Sequence, residues 1–185
     1  VFGKKIRIIA DRFHVAKLYR ESMDTLRKKE MKRLKKELSE QEYKTLNNVM
    51  WILRKSPEEL TEDELKTLKL LFKYSPDIKL VYELSCDLTN IFNMNINQGM
   101  AKRRIKIWIR RVQNSGLTCF DTFIKTLFTR MQEITNYFVD RFSSGFVEGI
   151  NNKLKVIKRR CYGITNIRSL FQRIRLDLEW RELLK

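Results

Sequence analysis

A single stretch of this chain, Lys5–Ala10 (Lys-Ile-Arg-Ile-Ile-Ala), reads as a β-strand: short, β-branched and stopped at Asp11. From Phe13 onward the pattern is almost wholly helical. This imbalance constrains the fold strongly, because a lone strand cannot satisfy its own backbone donors and acceptors. Its partner lies in another copy of the chain, or in a sheet upstream of Val1. The chain opens without Met directly ahead of the strand, so truncation is the simpler account. The expectation is a mostly α-helical structure in which the strand pairs with its equivalent in a second copy or is shielded by helices.

Phe13, Ala16, Tyr19, Met23 and Leu26 keep one helix face apolar. The run Arg27–Lys36 mixes many cations with Glu30, and Glu37 follows, which favours a solvated helix over a nucleic-acid-facing one. Ser56-Pro57-Glu58-Glu59 and Thr61-Glu62-Asp63-Glu64 each place a hydroxyl at N-cap and an acid three residues on. Each predicts a fresh helix after a break near Lys55. Ser75-Pro76 stops the helix containing Leu68, Leu71 and Phe72, and the proline suits the first turn of the next. Asn93–Gly99 predicts a loop. Helices follow over Ala101–Gln113 and Thr118–Tyr137, divided by Asn114-Ser115-Gly116. Ser143–Gly145 turns into another that Gly163 ends, and Ile167, Leu170, Phe171, Ile174 and Leu178 mark the last. The tally is one strand and about eight helices, with no internal repeat.

Lys and Arg number 39 against 22 Asp and Glu, a formal charge of +17 and a pI near 10.0. A polyanion is therefore the expected partner, because phosphate contacts gain free energy by releasing counterions. A membrane surface is the competing polyanion, but no apolar run reaches spanning length and no signal-peptide pattern opens the chain. Cys86, Cys119 and Cys161 are odd in number, far apart and in no C-x-x-C pair, and there is one histidine. A zinc finger is excluded, small apolar packing is the expected role of the thiols, and a reducing cytoplasm is the natural setting.

Two constellations carry chemistry. In the segment Ser144–Arg160, helical spacing puts Val147, Ile150, Leu154, Ile157 and Cys161 on one stripe and Glu148, Asn152, Lys155 and Arg159 on the opposite face. An acid at the head of a row of amides and cations suits a metal ion held beside a phosphodiester: the carboxylate takes the metal, and Asn152, Lys153, Lys155, Lys158, Arg159 and Arg160 take phosphate oxygens. An ordinary solvated helix is the plainer alternative. At the strand's end, Asp11 stands where α/β folds gather catalytic carboxylates, or it is simply a helix N-cap. His14 is a packing residue or a catalytic one.

Taken together, Asp-Arg-Phe-His after a short strand and Gly-Phe-Val-Glu-Gly-Ile-Asn-Asn-Lys-Leu-Lys-Val-Ile-Lys-Arg-Arg-Cys-Tyr-Gly from Gly145 to Gly163 resemble the bacterial insertion-sequence transposases of the ISL-three type. The resemblance runs from Ile8 to about Arg175. It implies a DDE catalytic core of ribonuclease H-like fold, of which this chain is the C-terminal part. The implied class is mainly α: residues 1–25 give a core strand and helix, 26–140 an all-helical insertion forming its own lobe, and 141–185 the core helices with the last acid. By the same resemblance Asp11 is the second acid of the triad and Glu148 the third, the two meeting at a two-metal Mg²⁺ (or Mn²⁺) site. His14 contacts DNA near the scissile phosphate. The first Asp has no candidate here, so the chain alone is expected to be inactive in cleavage.

The implied activity is metal-assisted strand cleavage and strand transfer on double-stranded DNA, at element ends and target, by a cytoplasmic, nucleoid-associated homo-oligomer with no membrane role. A non-enzymatic basic helical nucleic-acid-binding module fits the charge and helicity equally well. A helical partner-interaction domain with merely solubilising cations is a third reading. Dependence on Asp11 and Glu148 separates the first from the second, and salt sensitivity of DNA binding isolates the third.

Overall fold

A computed structural model describes residues 7–142, 144–161 and 165–179, which form ten α-helices and one 3-10 turn and contain no strand. The chain divides into two compact units, Val1–Phe142 and Ser143–Lys185.

In the first unit, α1 (Arg12–Glu37) is followed by the short α2 (Glu40–Lys44) and α3 (Val49–Ile52). The turn Pro57–Glu59 then leads to α4 (Glu62–Tyr74), α5 (Pro76–Asn93), α6 (Gln98–Asn114), α7 (Asp121–Thr129) and α8 (Met131–Asp140). Helix α5 lies at the centre, packed by α1, α4 and α6, and α6 in turn packs on α8. The reason is its apolar content: Ile78, Val81, Leu84 and Leu88 are all essentially inaccessible. Each such side chain contributes about 1.5–3 kcal/mol on burial. Trp108 of α6 inserts against this layer, donates its indole N–H to the Leu84 carbonyl at 2.8 Å and meets Phe120 and Phe123 edge-on.

Several local signals act as expected. Thr61 and Glu64 form a reciprocal capping box that starts α4. Ser75 ends α4 and caps α5, with Pro76 in its first turn. Asn97 caps α6, so the loop shrinks to residues 94–97. Ser56 and Glu59 also form a capping box, but it opens a single 3-10 turn instead of a helix, since the next box begins at Thr61 and leaves no room. A third box, Ser39 with Glu42, starts α2.

Other expectations are corrected. Residues 7–10 are not a strand: the Ala10 N–H donates to the Glu133 carbonyl at 3.0 Å, and Asn136 Nδ2 donates to the Ile8 carbonyl at 2.7 Å. Helix α8 does the work a neighbouring strand would do, so this segment is shielded by a helix; Lys5 and Ile6 lie outside the described residues. On α1 the buried face is Val15, Tyr19, Met23, Glu30 and Leu34, while Phe13 is 67% exposed. The stretch Thr118–Tyr137 is two helices, broken at Arg130 without a glycine or proline. Glycine is needed after α6, where Gly116 has φ +74°.

The second unit pairs α9 (Gly145–Arg160) with α10 (Ile167–Glu179). Ile157 is buried and Ile150, Leu154 and Cys161 are half-buried, as the apolar stripe requires. On α10, Leu170 and Ile174 are half-buried but Ile167 and Phe171 are exposed. The side chains of Val147 and Leu178, together with Ser143 and Gly163, lie outside the described residues.

The three cysteines are half-buried and free. Burial pushes the Cys119 thiol up to about 11 and raises that of Cys86, so both stay protonated and act as packing groups. No helix among the described residues is long and apolar enough to cross a membrane.

Candidate active site

Asp11 is the N-cap of α1. Its backbone is extended (φ −64°, ψ 133°) and its carboxylate accepts the Phe13 N–H at 2.6 Å. This local need for an N-cap explains why the helix starts where it does. What holds Asp11 in space is farther away. The preceding residues are lashed to α8 by the Ala10 and Ile8 hydrogen bonds, and Arg7 pairs with Asp140 at 2.7 Å.

Asn136, the amide in that lashing, is itself buried, and its oxygen is doubly engaged. Its Oδ1 accepts from Gln98 Nε2 at 2.7 Å and from Gln132 Nε2 at 3.0 Å. These three amides were not legible as site residues. The one signal was a polar Thr135-Asn136 pair inside the apolar run from Ile134 to Phe138.

His14 is exposed in the first turn of α1, three residues after Asp11. Beside it, Arg12 donates to Asn93 Oδ1 at the end of α5.

In the second unit Glu148 is exposed in the first turn of α9, and Ser144 Oγ donates to its Oε1 at 2.8 Å. That position favours a carboxylate, because the helix N-terminus carries partial positive charge. Asn152, Lys155 and Arg159 follow on the same exposed face, with Lys158 and Arg160 exposed beside them. Lys153 stands apart: its ammonium pairs with Asp177 at 3.0 Å and donates to the Asp177 carbonyl. It ties α9 to α10. Next to Glu148, a Cβ at Gly149 would meet nothing within 4 Å among the described residues, so their packing does not require glycine there.

Among the described residues no group of three His, Cys, Asp or Glu side chains gathers to hold a metal ion. The donor chemistry nevertheless fits a hard cation in each local setting. Asp11 and Glu148 are carboxylates at helix starts, and a carboxylate supplies the hard oxygen donors that such an ion takes.

The chain is thus mainly helical and strongly basic, with an acid heading a cation-lined helix. Residues 2–174 match a family described as transposase, of the ISL-three type, and the chain belongs to that family. It is 27% identical over 169 residues to the transposase for insertion sequence element IS1001 of Bordetella parapertussis, covering 91% of this chain and 41% of that protein. It is 24% identical over 133 residues to the transposase for insertion sequence element IS1557 of Mycobacterium tuberculosis, covering 72% of this chain and 30% of that protein. The chain thus spans less than half the length of these relatives. No solved structure matches it.

Proposed function

We propose that this chain supplies two carboxylates and a DNA-positioning helix to a DDE transposase that cuts and joins strands at insertion-sequence ends. The observation that carries this reading is Glu148 heading the exposed row Asn152, Lys155 and Arg159 in a chain of the transposase family. The row is what a phosphodiester substrate needs: cations and an amide fix the register of the backbone, and they read little sequence.

Asp11 and Glu148 are assigned as the second and third acids of a ribonuclease H-like core, each on the evidence of its own setting and of the family. His14 is the residue that touches DNA near the scissile phosphate. A divalent ion, when bound, polarises the phosphodiester and lowers the pKa of an attacking water or hydroxyl. Asp11 and Glu148 are each proposed as ligands for such an ion. The remaining work belongs to the chain: the Asn136 amide, through the Ile8 carbonyl, holds the segment that leads into Asp11, Ser144 orients Glu148, and Lys155, Lys158, Arg159 and Arg160 seat the duplex. A homo-oligomer acting on paired element ends belongs to the same reading.

The test uses a polypeptide that joins this chain to a first acid, in a strand-transfer assay with labelled element ends. Glu148→Gln is expected to abolish joining while leaving DNA binding intact; joining that survives it sinks the assignment. The 185-residue chain alone carries two of the three acids and is expected to bind plasmid without nicking it in Mg²⁺ or Mn²⁺. Metal-dependent nicking lost with Glu148→Ala would mean that a third acid lies within these residues.

A further inference from the structure

Helix α6 holds a charge pattern that the α9 site does not use. Its 17 residues carry six cations, Lys102, Arg103, Arg104, Lys106, Arg110 and Arg111, and no acid. Two are spoken for: Lys102 donates to Gln132, and Arg111 pairs with Asp87. Arg103, Arg104, Lys106 and Arg110 are exposed and make no hydrogen bond or ion pair with the described residues. Helix α1 is the instructive contrast. It is just as rich in cations but carries acids, with which Lys17, Arg27, Lys28 and Arg33 pair one turn away, while Arg20, Lys29, Lys32, Lys35 and Lys36 are exposed there without an ion pair among the described residues.

The geometry of the α6 row is regular. Arg103, Lys106, Ile107 and Arg110 stand at i, i+3, i+4 and i+7, so they share one face over a rise of about 10 Å. The opposite face, Ala101, Ile105, Trp108, Ile109 and Val112, is buried in the core of the first unit. A helix fixed in this way cannot roll to present apolar surface to a lipid, as a membrane-surface helix must. Outward it offers cations with Ile107, 63% exposed, in their midst. Unneutralised guanidinium groups in a row match a phosphate backbone, which arginine engages bidentately. The central Ile107 is placed to meet sugars or base methyls once the cations are seated.

We infer that the outer face of α6 is a second contact surface for duplex DNA, in the helical unit and independent of the α9 row. The inference rests on the DNA-acting reading above and adds a surface to it.

The experiment measures binding of the 185-residue chain to a fluorescently labelled duplex of random sequence by anisotropy, over a series of salt concentrations. Three variants are compared with it: Arg103→Gln/Lys106→Gln/Arg110→Gln on α6, Arg103→Lys/Arg110→Lys, and Lys155→Ala/Lys158→Ala/Arg159→Ala on α9. Each lost phosphate contact lowers the slope of log affinity against log salt by about 0.9, so the α6 glutamine variant is expected to lose about 2–3. The lysine variant should keep its slope, because charge and not packing carries the contact. The two triple variants together should add their losses. An unchanged slope in the α6 glutamine variant, with a reduced one in the α9 variant, overturns the α6 surface and leaves the DNA-acting reading standing. Slope loss in the lysine variant as well overturns it too, since the effect would then be structural. If the α6 change abolishes binding to anionic phospholipid vesicles and leaves duplex binding untouched, the face is a membrane surface and the inference falls. Absence of duplex binding by the unaltered chain removes the DNA-acting reading itself.

Discussion

At the scale of single residues, Asp11 has two tasks that can be separated by choice of substitution. As N-cap it accepts the Phe13 N–H. As a proposed metal ligand it supplies a hard, charged oxygen. Asparagine caps helices about as well as aspartate does, but it carries no charge. Asp11→Asn is therefore expected to unfold within about 1 kcal/mol of the unaltered chain and to abolish strand transfer in the complete assay. Asp11→Ala should lose activity and also about 1 kcal/mol of stability. Denaturant unfolding read beside the joining assay checks both, and activity retained in Asp11→Asn would reduce Asp11 to a cap. Glu148 needs no such separation, since its hydrogen bond to Ser144 is exposed and exposed contacts of this kind add little stability.

Among the elements, the joint between α1 and the α4–α5 corner is the clearest case of a polar group set inside an apolar interface. Glu30 is buried; its Oε2 accepts from Arg33 at 2.7 Å and from Ser75 Oγ at 2.8 Å, while Arg33 also donates to the Tyr74 carbonyl. The Arg33 guanidinium, with help from Ser75, holds the Glu30 carboxyl below its ordinary value of 4.5 despite burial. A depressed carboxyl contributes stability above its unfolded pKa and loses it as pH falls through the folded one. The contribution is therefore complete at neutral pH and lost progressively below about pH 4.5. Glu30→Gln should cost about 1–2 kcal/mol at pH 7, less than the 3–5 kcal/mol of a fully buried pair because Arg33 keeps Glu37 and solvent. The loss should shrink below pH 4, and thermal unfolding at the two pH values decides. A cost that does not change with pH would show that shape, not charge, sets the joint.

For the whole molecule, the two units differ in how much core they own. Val1–Phe142 contains nearly all of the buried apolar side chains, whereas among the described residues of Ser143–Lys185 Ile157 is the one that is buried. A two-helix piece of about 40 residues lies at the limit of what folds without a disulfide, metal or partner. A chain ending at Phe142 is expected to keep its helical circular dichroism and unfold cooperatively, while residues 143–185 alone should be largely unfolded. Cooperative unfolding of the short piece would contradict this division of the core. The prediction bears on function, because the α9 row would then depend on the rest of the protein for its helical form, whereas the α6 row would not.

The sequence by itself determined what depends on near neighbours. The 3.6-residue period specified a helical chain, Thr61 with Glu64 and Ser75 with Pro76 marked helix starts, and the two faces of α9 were legible because Ile150, Leu154 and Ile157 repeat at helical spacing. Each of those signals is satisfied within about a turn of helix, so no distant contact is needed to read it. The tertiary structure decided the rest. Residues 7–10 look like a strand because Ile8 and Ile9 are β-branched, yet the partners of this segment are a carbonyl and an amide on α8 more than 120 positions away. Val15 and not Phe13 faces the core, Glu30 is buried among cations, and the break at Arg130 has no breaker residue. A hydrogen bond or a packing face that depends on a distant element leaves no trace in local periodicity, and it is fixed when the helices close around α5.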